Sequence, residues 1–277
     1  MIKLHDIFTA WYARFWGGII IVIAFMTATV FYPDFIALFV AGIIASMIAI
    51  EYMRGGSVAT FGFAFDKWTI RELLGGISAG VIPIALLLGM FSMVGWFSYS
   101  LNGDIPWSML GMICMLAILE EIIFRGMIFQ ALIARFSLIS VTIGTSLLFM
   151  AAHGANPEVS VIALINTFVA NCVFIAAWYH TKGLWWPIAF HCSWNCAQVF
   201  SGQVLSGGNF GNGYVLSQFS SAIPQPWLQS SYGIEGTVYC TLVLLILITL
   251  IFRQSTSPFR SAAQFTLLYP KIEEHSV

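Results

Sequence analysis

The run WSMLGMICMLAILEEIIFRGMIFQA, residues 107–131, decides how this chain is read. It is long enough to cross the hydrocarbon core of a bilayer, for which about 20 apolar residues suffice in a helix. Yet Glu120, Glu121 and Arg125 fall within six positions of one another inside it. A charge at the bilayer centre costs at least about 2.5–3.5 kcal/mol, so ionisable groups there mark function by default.

The rest of the chain has the composition of a membrane protein. It is 59% hydrophobic and only 8% charged, whereas soluble domains are about a quarter charged. That deficit leaves no means of covering a water-facing surface, and no acidic or basic tract suggests nucleic acid. Apolar runs predict eight helical spans, at 15–32, 35–51, 73–98, 107–131, 138–153, 159–180, 185–202 and 237–252. Helices are expected because open sheet edges are not tolerated in lipid and nothing alternates as barrel strands do. The expected fold is thus all-α, a single polytopic domain over 1–277 with an intramembrane cavity. In the third span Gly76 and Gly80 are four apart, a pattern that lets helices approach closely.

Charge placement supports the count. Lys3, Arg14, Arg54, Lys67, Arg71, Arg135, Lys182, Arg253, Arg260 and Lys271 all fall on one side of the eight spans. The connections holding Asp34, Asp104 and Glu158, and the segment 203–236, contain neither Lys nor Arg. By the positive-inside rule both termini and the tail 253–277 are cytoplasmic, and 203–236 is an extracytoplasmic loop. The same alternation argues against removal of the first span as a signal peptide. The segment 52–72 reads as an inner interfacial stretch anchored by aromatics. Short loops and the lack of an N-x-S/T acceptor suggest a bacterial plasma (inner) membrane.

Five cysteines, Cys114, Cys172, Cys192, Cys196 and Cys240, all fall within predicted spans. They form no disulfide framework, and the plain reading is of small apolar fillers. Cys192 and Cys196, four apart, share a helix face as possible soft ligands.

With His180 set aside as an interfacial residue beside Lys182, the ionisable candidates within the spans are Glu120, Glu121 and Arg125 in the fourth, His153 at the end of the fifth, and His191 in the seventh with Asn195 beside it. Glu121 and Arg125 are four apart and suited to a charge-assisted pair, with a purely structural role as the plain alternative. Glu120 is turned about 100° away and keeps no local counter-ion. His191 and Asn195, again four apart, project in one direction. Counting along the fifth span puts His153 nearer the outer end than the others. One free carboxylate, two imidazoles and an amide suit hydrolysis of an amide bond without a covalent nucleophile. Glu120 with His153 can polarise a water, while His191 and Asn195 can hold an oxyanion. No H-E-x-x-H and no G-x-G-D occurs, and G-x-S matches such as Gly76–Ser78 and Gly144–Ser146 carry almost no weight.

These residues resemble the motifs of the CPBP family of intramembrane proteases, which includes CAAX prenyl endopeptidases and bacteriocin-immunity proteins. Glu120-Glu121 with Arg125 resembles its E-E-x-x-x-R motif, Phe149 with His153 its F-x-x-x-H motif, and His191 with Asn195 its H-x-x-x-N/D motif. The resemblance spans roughly 60–202. It implies an eight-helix core, a cavity reached from the cytoplasmic side, Glu120 and His153 as water activators, and His191 and Asn195 as the oxyanion hole. The implied substrate is a membrane-associated or prenylated CAAX-type peptide. Members have been labelled metalloproteases, and Glu120, His153 and His191 would be the zinc set. No cofactor is the favoured reading, because Asn195 is a poor zinc ligand and a natural oxyanion donor. A non-enzymatic immunity or adaptor protein, and a transporter or proton relay, remain as alternatives. Against the last stands the lack of any internal repeat.

Overall fold

The computed structural model describes residues 15–20, 23–24, 62–101, 103–133, 135–210 and 214–253. In chain order the elements are α1 (Thr69–Met93), β1 (Phe97–Leu101) and α2 (Trp107–Glu121). A π-helical segment (Ile122–Phe129) and a last α turn (Gln130–Ile133) continue α2 without a break. Then come α3 (Leu138–Ala152), α4 (Val161–Thr181), α5 (Trp185–Phe200), β2 (Val215–Phe219), a 3-10 turn (Ile234–Gly236) and α6 (Val238–Arg253). These helices fall on six of the eight expected spans. The residues described from the first span, 15–20 and 23–24, are helical. The second span, 35–51, and the tail after Arg253 lie outside the described residues, as do Lys3, Arg14 and Arg54 of the charge count. Of the inner stretch 52–72 only 62–72 is described.

The chain is largely helical, and two of its helices, α1 and α4, are long and apolar enough to cross a membrane. They measure roughly 37 and 31 Å at 1.5 Å per residue, against about 30 Å of hydrocarbon. Large apolar side chains are exposed on α1 and α6: Leu74, Ile82 and Leu86 on the first, with Leu242, Ile246 and Leu250 on the second. Large aliphatic side chains turned outward in such numbers are the reverse of a water-facing surface.

The expectation of an all-helical chain needs one correction. Residues 97–98, read as the end of the third span, belong to β1. This strand pairs antiparallel with β2 from Phe97↔Phe219 to Leu101↔Val215. The helix stops because Gly95 takes a φ of 73°, a left-handed conformation open to glycine. The FSYSL that follows alternates at the strand period. Pairing of β1 with β2 brings two of the Lys- and Arg-free connections to the same end of the helices.

Helix ends follow local chemistry. Ser137 and Ser160 accept from the backbone N–H of Ser140 and Ala163 and so cap α3 and α4. Lys182, at φ 52°, closes α4. The expected glycine contact is present: a Cβ on Gly76 would meet the Trp186 carbonyl at 2.6 Å, and one on Gly80 the Trp194 nitrogen at 2.7 Å. This contact seats α5, which carries two of the candidate residues, against α1. One core cluster surrounds the π segment with Phe149, Ile175 and Trp178. A second joins α1, α4, α5 and α6 through Phe174, Phe190 and Trp194.

Candidate active site

The site is built from three helices. Glu120 and Glu121 are the last two residues of α2, and the π segment that follows holds Arg125. His191 and Asn195 lie one turn apart on α5, and His153 is the C-cap of α3.

Glu121 and Arg125 are both fully buried and pair at 2.9 Å, as their spacing predicts. The second guanidinium nitrogen donates to Asn171 Oδ1 at 2.7 Å, and the Asn171 amide donates to Ser146 Oγ at 2.9 Å. The Arg125 Cζ lies 4.2 Å from the Phe174 ring centroid and 4.5 Å from that of Phe149. A buried ion pair is tolerable when it is well hydrogen-bonded and its cation is stacked, and here both hold.

The pair also reaches a second element: Glu121 Oε1 accepts from His191 Nδ1 at 2.9 Å as well. Glu120, turned away on the helix, takes no part in the pair. Glu121 therefore orients His191: with Nδ1–H committed to the carboxylate, Nε2 faces the cavity. His153 is held by the same logic, its Nδ1–H donating to the Phe149 carbonyl at 2.9 Å. Phe149 thus anchors one histidine through its backbone and covers Arg125 with its ring.

Both imidazoles present Nε2 to the same oxygen, Glu120 Oε2, at 3.9 Å from His191 and 4.0 Å from His153. His153 is level with the others after all, because α3 is short and ends there. Asn195 lines the cavity with all three, and its side chain carries no hydrogen bond among the described residues. The four predicted residues converge.

Two cavities meet at Glu120. The smaller, about 90 Å³, is lined by Glu120, His153, His191, Asn195, Asn166, Ser206 and Glu235 among others. The larger, about 350 Å³, shares Glu120, His153, Asn195 and Ser206 and is otherwise mainly apolar, with Leu116, Phe124 and Phe210 in its wall. Two of the lining residues, Ser206 and Glu235, come from 203–236, at the end of the helices opposite Arg135, Lys182 and Arg253.

Sequence reading missed Glu235 and Ser206. Glu235 Oε1 accepts from Trp194 Nε1 at 3.1 Å and Gln198 Nε2 at 3.2 Å, while Oε2 accepts from the Ser206 backbone at 3.1 Å and its hydroxyl at 2.6 Å. Ser206 is held at φ 49°, a left-handed conformation that costs a serine about 1–2 kcal/mol. Beside it the Tyr232 hydroxyl accepts from Asn156 Nδ2 at 3.1 Å. Burial, and then the charge of Glu235, push that hydroxyl above the ordinary phenol range. No motif pointed to these residues. Asn171, a polar residue deep in a predicted span, carried a signal that could have been used.

Glu120, His153 and His191 are the residues that would hold a zinc ion, and two histidines held through Nδ1 resemble metal ligands in their outer contacts. Among the described residues no three His, Cys, Asp or Glu side chains are drawn close enough together to ligate one ion as they stand.

Comparison with known families agrees at the level of part of the chain. Residues 102–197 match the family model described as Type II CAAX prenyl endopeptidase Rce1-like. The matched stretch holds all seven motif residues, from Glu120 to Asn195, and is about a third of the chain. No curated protein and no solved structure matches.

Proposed function

We propose that this protein is an intramembrane endopeptidase that hydrolyses a peptide bond near the C-terminus of a membrane-associated or prenylated, CAAX-type peptide. The observation that carries the reading is the convergence of two imidazole Nε2 atoms on Glu120 Oε2 at 3.9 and 4.0 Å. These separations are too long for hydrogen bonds and suit a bridging water.

One hydrogen of that water points to Glu120 and the other to His153 Nε2, whose Nδ1–H is already engaged. A lone pair is left to attack the carbonyl carbon. Glu120 takes the proton as the C–O bond forms and returns it to the nitrogen as the C–N bond breaks. The oxyanion between these steps accepts from Asn195 Nδ2. His191, with Nδ1–H on Glu121, adds a donor from Nε2 only as the imidazolium. The larger, mainly apolar cavity accommodates the hydrophobic end of the substrate, its volume falling within the range of small-molecule pockets.

The test is cleavage of a quenched fluorescent farnesylated CAAX peptide by purified protein in detergent, wild type beside Glu120→Ala, each with and without phenanthroline. Loss of cleavage by about a hundredfold to ten-thousandfold in the variant is expected, with no effect of chelator. Chelator sensitivity would replace this mechanism with the zinc form. A wild type that cleaves nothing would remove the substrate assignment and favour a non-enzymatic role.

A further inference from the structure

Three of the five cysteines meet at the contact between α2 and α5, outside the site described above. Cys114 Sγ lies 3.3 Å from Cys196 Sγ. Cys192, one turn before Cys196, donates its thiol to the Cys114 carbonyl at 3.5 Å. The other two are placed differently: Cys172 faces Ser146 Oγ at 3.4 Å, and Cys240 is buried in the second core cluster. Cysteines serving only as apolar filler have no reason to gather sulfur to sulfur across a helix contact. Cys114 and Cys196 are also only partly buried, which leaves a path for a small reagent.

We propose that Cys114 and Cys196 form an oxidisable dithiol that closes to a disulfide and staples α2 to α5. The oxidant is a hydroperoxide. One thiolate attacks the peroxide oxygen, giving a sulfenic acid and an alcohol. The second sulfur displaces hydroxide, which leaves as water with the second thiol's proton. Two thiols and one hydroperoxide thus yield one disulfide, one alcohol and one water.

The consequence follows from what the two helices carry. A disulfide needs its sulfurs about 2.05 Å apart, so the pair must close from 3.3 Å. That movement of about 1 Å joins the helix ending in Glu120 and Glu121 to the one bearing His191 and Asn195. Displacement on this scale can cost catalysis about a hundredfold. This second half rests on the hydrolase reading; the disulfide itself does not.

The experiment treats the full-length protein in detergent with tert-butyl hydroperoxide, blocks remaining thiols by alkylation, and maps linked peptides by mass spectrometry after non-reducing digestion. A Cys114–Cys196 link is expected in wild type and in Cys172→Ser, and no such link in Cys114→Ser. In parallel, peptide cleavage should fall about a hundredfold on oxidation and return with dithiothreitol. Cys196→Ala should keep its rate in hydroperoxide. Cys114 and Cys196 recovered unlinked and alkylated would overturn the proposal, as would a fully linked protein that cleaves within twofold of the reduced one. Should the reduced wild type cleave no peptide, the hydrolase reading falls while the linked-peptide map still decides the dithiol.

Discussion

Glu120 and Glu121 are neighbours in the chain with unrelated surroundings. One carboxylate faces two imidazoles across about one water's width. The other is sealed between a guanidinium and a histidine. The two should answer mutation differently. Asn195→Ala removes an uncommitted amide from the cavity wall, so peptide cleavage should fall about 10²–10³-fold. Thermal unfolding followed by circular dichroism should barely change. Glu121→Ala leaves Arg125 buried without its partner, a defect costing about 3–5 kcal/mol. The expected outcome is loss of folded protein on size-exclusion chromatography, before any question of activity. Equal yields of the two variants would show that the buried pair is not what holds this part of the chain together.

At the scale of elements, the contact of α1 with α5 and the tethering of α3 set the site's geometry. Gly76 and Gly80 let the α5 backbone come so close that any side chain there must push it away. Gly80→Leu should therefore destabilise the protein by more than the 1–3 kcal/mol typical of overpacking, and a detergent melt would show it. The same substitution at Gly89, where a Cβ meets nothing within 4 Å, should be tolerated.

Much of the element plan could be read beforehand, because apolar run length and breaker residues act locally. Bounds for α2 taken with its continuation to Ile133, and for α3 through α6, agree with the expected spans to within about two residues. The ribbon escaped notice because FSYSL is apolar enough to pass as the end of a span and its partner lies over a hundred residues away. The bond from His191 to Glu121 was equally out of reach. Helical spacing ties Glu121 to Arg125, but it says nothing about a residue 70 positions on. Glu235 was invisible for a further reason: in a polar loop one more carboxylate is ordinary, and only folding carries it into a cavity.

For the molecule as a whole, the side of the membrane from which the site is approached matters most. Ser206 and Glu235 of 203–236 line the cavity, and the distribution of Lys and Arg predicts that segment on the outer face. Single cysteines introduced at Ser220 and at Phe136, in a chain otherwise free of cysteine, would test this in intact cells. The expected outcome is labelling of the first by a membrane-impermeant maleimide and protection of the second until the membrane is opened. The reverse pattern would invert the orientation and put Glu235 on the cytoplasmic side.

Arg125 lies over the faces of two phenyl rings, Phe149 and Phe174, which are set nearly at right angles to each other. Protons over the face of an aromatic ring are shielded by its circulating electrons. The Arg125 guanidinium should therefore resonate upfield of the ordinary arginine region. The chain has seven arginines, so selective isotope labelling gives a spectrum with few signals to assign. Since Arg125 reaches His191 through a single carboxylate, its displaced resonance is a built-in reporter of events in the cavity, readable without a substrate that turns over.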